Sequence, residues 1–200
     1  MNPSTWPRLL VVDVEGNGAS PPDLVEIAAL PIINGTPDTS TAGTWLIRPP
    51  VPVTPFAARI HGLTNDRLAD CAPWADVADQ VRSMLDGAWI CAHNAHVDYA
   101  VLRRHLPDWQ PAGVLDTLRL ARATYPKLSS YKLDALIEHT HLNLSAAPAC
   151  RHRATYDAYA TSFLLLAMAA EYATWEALVV AAVPPGLPGA PELEQEPTLW

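Results

Sequence analysis

Charged side chains are scarce in this chain, at 17% of 200 residues, whereas half of the residues are apolar. A chain of this composition is expected to fold rather than remain disordered. Its length is sufficient for one domain with a substantial core. Long apolar runs are lacking as well. No run approaches the roughly 18 to 20 residues that span a bilayer, so we expect no membrane segment.

Cysteine is also rare. Its three copies, Cys71, Cys91 and Cys150, are widely spaced and form no CxxC pair. This pattern favours buried thiols in a reducing compartment over a disulfide framework. The segment from Met1 to Pro7 lacks the basic and apolar parts of a secretory signal. We therefore expect a cytoplasmic protein.

Basic residues are too few to balance the acidic ones, 13 against 21, and the formal net charge is −8. Proteins that hold long nucleic acids usually present a basic face that neutralises phosphates. Two interpretations remain. Either the substrate is not a nucleic acid, or contact is limited to a few nucleotides and bound cations supply the positive charge.

The order of apolar runs and turn residues predicts an α/β fold. Strands are predicted over residues 8–15, 24–33, 44–48, 88–92 and 114–115, with Asn34-Gly35 as a hairpin turn. Helices are predicted over residues 74–85, 97–106, 117–124, 131–139 and 155–170, with a last one reaching residue 183. The prolines between residues 49 and 55 predict irregular structure. We expect a mixed five-stranded sheet with helices on both faces.

From residue 184 onward the chain is rich in proline, glycine and glutamate. This composition predicts a folded domain over residues 1–183 and a flexible tail over residues 184–200. The end of the tail, from Gln195 to Trp200, loosely resembles the peptides that dock on bacterial sliding clamps. A disordered stem with an apolar end suits binding in a groove. The alternative is a tail with no partner.

Two acids end the first apolar run. Asp13 and Glu15 are two residues apart in the sequence LLVVDVE, so their side chains leave the same face of a strand. Adjacent carboxylates on a buried strand repel each other and lose solvation. A divalent cation removes both costs, and oxygen ligands suit magnesium or manganese. The alternative is that both acids lie beyond the strand, in solvent.

Two later segments carry acids at helix starts. Asp98 follows His93 and Asn94 and falls in the first turn of a helix, where the helix dipole alone could account for it. Asp157 follows His152 by five residues, about 500° of helix, so the two converge only if His152 precedes the helix. The three segments together supply four acids and a histidine. Such a set can hold two cations roughly 3.5–4 Å apart for in-line attack on a phosphate.

Taken in order, D-V-E, H-N-x-x-x-D and H-x-A-x-x-D-A resemble the motifs of the DEDDh (DnaQ-like) 3′→5′ exonucleases, which have a ribonuclease H-like fold. Residues 46–123 are most similar to exodeoxyribonuclease X and the proofreading subunits of bacterial replicative polymerases, and the whole resemblance covers about residues 8–170. It implies that His152 is the general base, since an imidazole accepts protons near neutral pH. It also implies that two Mg²⁺ or Mn²⁺ ions are bound by Asp13, Glu15, Asp98 and Asp157.

The resemblance further implies contacts with the substrate. Gly16 and Asn17 are expected against the terminal nucleotide, and His61 and Asn94 near the substrate strand. A turn histidine and a strand-end cap are the alternatives for the last two. The chain departs from the family pattern at residues 16–18, where Gly-Asn-Gly replaces the common threonines, and at Val97, which replaces an aromatic residue.

Two further acids are interpreted as structural. Asp116 stands where a helix N-cap belongs, and Glu26 lies on the second predicted strand. Helix capping accounts for Asp116 without any catalytic role. Neither acid is therefore assigned to the site.

The sequence thus predicts an enzyme, a 3′→5′ exonuclease that acts on the 3′ end of single-stranded DNA in repair, proofreading or mismatch processing. The same residues fit an exoribonuclease of the ribonuclease T or oligoribonuclease type, because contacts with the 2′-OH cannot be identified. A third hypothesis is a non-catalytic polymerase or clamp accessory module. Two bound cations and a short strand end would account for the acidic net charge.

Overall fold

A mixed sheet forms the centre of the computed structural model, which describes residues 2–148 and 151–191. The strands are β1 (Leu9–Gly16), β2 (Leu24–Ile33), β3 (Thr36–Pro37), β4 (Gly43–Leu46), β5 (Trp89–Ala92) and β6 (Gly113–Asp116). Their order is β3-β2-β1-β5-β6, and β4 also pairs with β2. The central strand β1 is antiparallel to β2 and parallel to β5, and β5 is parallel to β6. The predicted α/β fold with a mixed sheet is confirmed.

The sheet has six strands among the described residues, not the predicted five. The additional strand is β3, which follows the Asn34-Gly35 turn and pairs with the end of β2, while β4 pairs with an earlier part of β2. Between them, Asp38 accepts hydrogen bonds from Ser40 and Thr41. Such local bonds compete with strand pairing. The predicted hairpin therefore returns along β2 in two pieces.

Helices cover both faces of the sheet, as predicted. They are α1 (Pro55–His61), α2 (Asn65–Leu68), α3 (Trp74–Leu85), α4 (His96–His105), α5 (Thr117–Thr124), α6 (Leu133–His139), α7 (Ala154–Ala169) and α8 (Trp175–Ala182), after a 3₁₀ turn at Pro3–Thr5. Leu9 and Val11 of β1 pack with α5 to α8, whereas Leu10 and Val12 pack with α3 and α4. Within residues 2–148 and 151–191, every helix is too short or too polar to cross a bilayer.

Helix α1 was not predicted, because prolines precede and begin it. Pro55 occupies the first turn, where a proline costs no hydrogen bond. Thr54 caps this turn by accepting a hydrogen bond from Ala57 N, and Gly62 ends the helix with a φ of 72°. The prediction of irregular structure is therefore wrong from Pro55 onward.

The first residues of the predicted tail pack against the domain. Pro184 is buried, and Leu187 packs on the apolar cluster of β1, α3 and α4. The Pro188 carbonyl accepts a hydrogen bond of 2.9 Å from Val114 N of β6. Residues 184–191 thus differ from a flexible tail, because apolar contacts and a backbone bond hold them. The remaining residues of the predicted tail, 192–200, lie outside the described part of the chain.

Candidate active site

Strand β1 positions the first two acids. Successive side chains of a strand alternate between its faces, so Asp13 and Glu15 continue the row of Leu9 and Val11. That row faces α7, which packs across β1 and β2. Both acids are partly buried. The alternative of two acids in open solvent is therefore excluded.

Helix α7 brings a third acid to this face. Its first turn holds Asp157, and ligand atoms of Asp13, Glu15 and Asp157 all lie within 4.8 Å of one another. We call these three residues the carboxylate triad. His152 precedes the helix with a φ of 58°, is exposed, and lies close enough to Asp157 to interact with its carboxylate. His152 thus precedes the helix, which is the position it needs in order to converge with Asp157.

The fourth predicted acid reaches the same end of the sheet from the opposite face. Asp98 lies in the first turn of α4, is only 5% exposed, and accepts a hydrogen bond of 3.1 Å from Val14 N. It lies outside the triad but close enough for its charge to raise the pKa of Asp13. The structure therefore brings all four predicted acids to the end of β1.

Burial and mutual repulsion make these carboxylates hard to ionise without a cation. Burial first, and then the charge of Asp98, raise the pKa of Asp13 well above its usual range. Burial likewise raises the pKa of Glu15 to about 8, that of Asp98 to about 7 and that of Asp157 to about 6. A bound divalent cation favours the ionised forms. Three converging carboxylates are a fitting donor set for such a hard cation.

The predicted substrate residues Asn17 and His61 hold the loop after β1 in place. Asn17 is fully buried; its side-chain oxygen accepts bonds from Ala19 N and Asp23 N, and its amide donates to Val51 O. His61 is buried as well; its Nδ1 accepts from Leu63 N, so its Nε2 donates to Gly16 O at 3.3 Å. Both side chains therefore brace the loop, and His61 also lines the pocket beside the acids. Their contacts with the substrate stay predictions.

Gly16 itself lies at a β-bulge, directly after the acids. A Cβ atom at this position would come within 2.9 Å of Pro22 Cβ. The loop therefore packs closely at the point where the resemblance implies the terminal nucleotide. At Gly18, with a φ of 80°, a Cβ atom would collide with the Thr54 hydroxyl, so the loop requires glycine at this position.

Asn94 and Asp116 meet at the neighbouring strand ends. Asn94 follows β5 with a φ of 68°, its side chain is exposed, and its backbone N–H donates to Asp116 Oδ1 at 3.0 Å. Asp116 Oδ1 also accepts from Leu118 N and Arg119 N at the start of α5. The interpretation of Asp116 as a helix cap is confirmed.

Sequence reasoning missed an apolar pocket beside the acids. Its volume is about 240 Å³, and its lining includes Glu15, Gly16, Phe56, Ile60 and Val97. Phe56 is 68% exposed, and Ile60 and Val97 are about half exposed. Large apolar side chains around a polar site are typical of a surface that binds a ligand. Gly16 and His61, which the resemblance implies near the substrate, also line this pocket. The apolar character itself was indicated at Val97, where an aliphatic residue replaces an aromatic one.

Sequence reasoning also left Glu26 outside the site. Glu26 of β2 pairs in register with Glu15, is fully buried, and binds the Arg153 guanidinium through two contacts of 2.7 and 2.8 Å. It also accepts a hydrogen bond of 3.0 Å from Ala154 N. Glu26 thus anchors Arg153, which follows His152, and Ala154, which begins α7.

A mixed sheet with acids gathered at the end of its central strand, and helices on both faces, is the architecture of the ribonuclease H-like nucleases. The chain belongs to the 3′→5′ exonuclease family: the family model described as Exonuclease matches residues 10–165. Exodeoxyribonuclease 10 of Escherichia coli K12 is 35% identical over 159 residues, covering 79% of this chain and 67% of that protein.

Two further similarities concern a longer protein and a solved structure. The 3′-5′ exonuclease DinG of Bacillus subtilis is 32% identical over 169 residues, 80% of this chain, and the match spans only 17% of DinG. The structure of Exonuclease X in complex with 5′ overhanging duplex DNA superimposes with a TM-score of 0.72 at 32% identity, over 85% of this chain and 96% of that one. The family membership inferred from the sequence motifs is thereby confirmed.

Proposed function

We propose that the protein is a cation-dependent 3′→5′ exonuclease that removes nucleotides from the 3′ end of DNA, in repair or proofreading. The observation that carries the proposal is the carboxylate triad at the end of β1, beside an exposed apolar pocket. The names of two relatives support DNA as the substrate. One is called an exodeoxyribonuclease, and the other was solved with duplex DNA.

The proposed ligands of two Mg²⁺ or Mn²⁺ ions are Asp13, Glu15, Asp98 and Asp157. Such cations supply positive charge that activates the attacking water and stabilises the leaving 3′ oxygen. His152 is the proposed general base, because its exposed imidazole lies beside Asp157 and is not buried in the carboxylate cluster. An unprotonated ring nitrogen of His152 can therefore accept a proton from a water on the substrate side of the carboxylate cluster.

The apolar pocket is the proposed site of the terminal nucleoside. Phe56 offers an exposed ring on which a base can stack, and Ile60 and Val97 extend the apolar surface. Stacking of this kind tolerates any base, as an exonuclease requires. Asn17 and His61 brace the loop beside this pocket. The exposed Asn94 is the proposed contact with the substrate strand.

The experiment that tests the proposal compares DNA and RNA directly. The purified full chain is incubated with Mg²⁺ and 5′-labelled single-stranded DNA or RNA of identical sequence, and the products are resolved on a gel. We expect a one-nucleotide ladder on DNA that is absent with Asp13→Asn. Asp79→Asn, which removes one exposed carboxylate of α3, is the matched control and should leave the ladder unchanged.

A ladder only on RNA would keep the mechanism and assign the protein to RNA turnover. The absence of a ladder on both substrates, with Mn²⁺ also tried, would contradict the proposed exonuclease activity and favour a non-catalytic accessory module. A sliding clamp as partner stays a prediction, because Gln195 to Trp200 lie outside the described residues.

Glu26 offers a test of how the proposed base is positioned. Replacing the Glu26 carboxylate with an amide, in Glu26→Gln, weakens its hold on Arg153, which follows His152. We expect kcat to fall about 10–100-fold, as for other partners that orient a site, with KM unchanged within about threefold. The measurement is steady-state hydrolysis of 5′-labelled DNA with Mg²⁺, well below the unfolding temperature.

The matched control is Asp134→Asn, which breaks the exposed ion pair with Arg151 just before the same histidine. Exposed pairs contribute little to stability, whereas breaking a buried pair is costly. A lower melting temperature of Glu26→Gln with an unchanged kcat would show that the buried pair only stabilises the fold.

A further inference from the structure

The basic residues of this acidic chain are unevenly distributed. Four of its thirteen lysines and arginines lie within residues 119–132, and residues 117–133 contain no acid. The four are Arg119, Arg122, Lys127 and Lys132. This segment therefore carries a formal charge of +4 in a chain whose net charge is −8. Charge of one sign in one short segment favours an anionic partner.

Arg119 and Arg122 of α5 line a groove of about 470 Å³ together with Asn94 and His96. The C-terminal segment forms another part of its wall, through Pro184 and its neighbours. Asp116 is the acid that also lines the groove, but one of its carboxylate oxygens accepts three backbone N–H bonds. The two arginines are exposed and extend into this groove with their charge available to a ligand.

The groove lies at the same end of the sheet as the acids. Strands β1, β5 and β6 are parallel and adjacent, so their carboxyl ends lie at one edge of the sheet. The register aligns Val11, Cys91 and Leu115 across the three strands. Neighbouring strands are about 4.8 Å apart, which puts Asp116, at the end of β6, roughly 10 Å from Asp13. At a rise of about 3.4 Å per nucleotide, this corresponds to roughly three stacked nucleotides. Asn94, after β5, lies between the two.

Contacts within the chain also restrict Arg122, one of the two arginines that line the groove. The Arg122 guanidinium lies 5.8 Å from the centre of the Tyr131 ring, a cation–π contact. The Tyr131 hydroxyl donates to Tyr125 O at 2.6 Å, and the Tyr131 carbonyl accepts a hydrogen bond of 3.0 Å from His93 Nε2. Because these contacts restrict Arg122 before any ligand arrives, binding costs less side-chain entropy.

We propose that this groove binds the phosphate backbone of the substrate strand, a few nucleotides upstream of the 3′ end held at the carboxylate triad. The inference rests on the proposed exonuclease function and adds the surface that retains the strand. Arg119 and Arg122 each neutralise a phosphate. The acidic net charge and a nucleic-acid substrate are then compatible, because the contact is local.

The test compares two double variants that remove the same charge. Arg119→Gln/Arg122→Gln removes the groove cations, and Arg67→Gln/Arg82→Gln removes two arginines of α2 and α3 outside the groove. The kcat/KM of the full chain with Mg²⁺ is measured on a 12-nucleotide single-stranded DNA between 50 and 200 mM salt. For the groove variant we expect a loss of about tenfold at 100 mM salt, mainly in KM.

The salt dependence identifies phosphate contacts. Each contact with a single strand contributes about 0.7 to the slope of log affinity against log salt, so the groove variant should lose about 1.4 of the slope. An equal change in both double variants, or none in the groove variant, would overturn the proposal. A wild-type protein that gives no ladder on the same oligonucleotide would refute the proposed function, and this inference with it.

Discussion

Replacing His152 with alanine should lower kcat by about 10²–10⁴-fold, the usual contribution of a positioned general base. KM should stay within a few-fold of the wild-type value. The physical reason is the separation of roles: His152 is exposed on the segment before α7, while the carboxylate triad and the apolar pocket are built from other residues. Initial rates on 5′-labelled DNA with Mg²⁺, over a range of DNA concentrations, measure both constants.

The matched control is His141→Ala. His141 is also exposed and also has a positive φ, 53° against 58° for His152, so the backbone consequences of the two substitutions are similar. The control should keep the wild-type kcat. If His152→Ala also kept it within threefold, the proton would have to leave the attacking water by another route, and the proposed role of His152 would be wrong.

The positions of the acids were predictable because they follow from local geometry. The two-residue period of a strand puts Asp13 and Glu15 on one face, and the structure has them there. The rotation per residue of a helix separates His152 from Asp157, and α7 begins at Ala154, between them. The sequence did not predict which face of the sheet α7 covers. The structure shows that α7 packs on the face that carries the acids.

Interactions between distant parts of the chain were not predictable. Glu26 and Arg153 are 127 residues apart, so no periodic pattern relates them. The same holds for Asn17 and His61, whose residue types suit both ligand binding and loop bracing. Their hydrogen bonds to Val51 O and Gly16 O brace the loop, and these bonds exist only once the loop is folded.

The apolar pocket shows a second limit. Phe56 and Ile60 are of residue types that are usually buried in a core. A sequence pattern alone does not distinguish an exposed apolar side chain from a buried one. Helix α1, which carries both, is seven residues long and begins at a proline, so its periodic signal is weak. The proposed nucleoside site thus depends on an element that the sequence did not reveal.

Without divalent cations, the folded protein should become less stable as the pH rises from 5 to 8. The carboxyls of Glu15, Asp98 and Asp157 have pKa values raised to about 8, 7 and 6 from usual values near 4. Over this range these carboxyls bind more protons in the folded state than in the unfolded state, so their contribution to the free energy of unfolding falls as the pH rises. Burial lowers the pKa values of His61, His93 and His105, which offsets part of this loss below about pH 7. The loss is on the order of 5 kcal/mol, or about 10–20 °C in melting temperature.

Thermal unfolding at pH 5 and pH 8, in EDTA or in Mg²⁺, measures this linkage. Mg²⁺ should raise the melting temperature more at pH 8, because protons compete for the same oxygens at pH 5. Asp13→Asn removes one of the repelling charges, so in EDTA at pH 8 it should be more stable than the wild type and respond less to Mg²⁺. Asp79→Asn should behave as the wild type. A melting temperature in EDTA that is constant from pH 5 to 8 would mean that the carboxylates ionise freely, and the electrostatic argument for a cation at the end of β1 would be wrong.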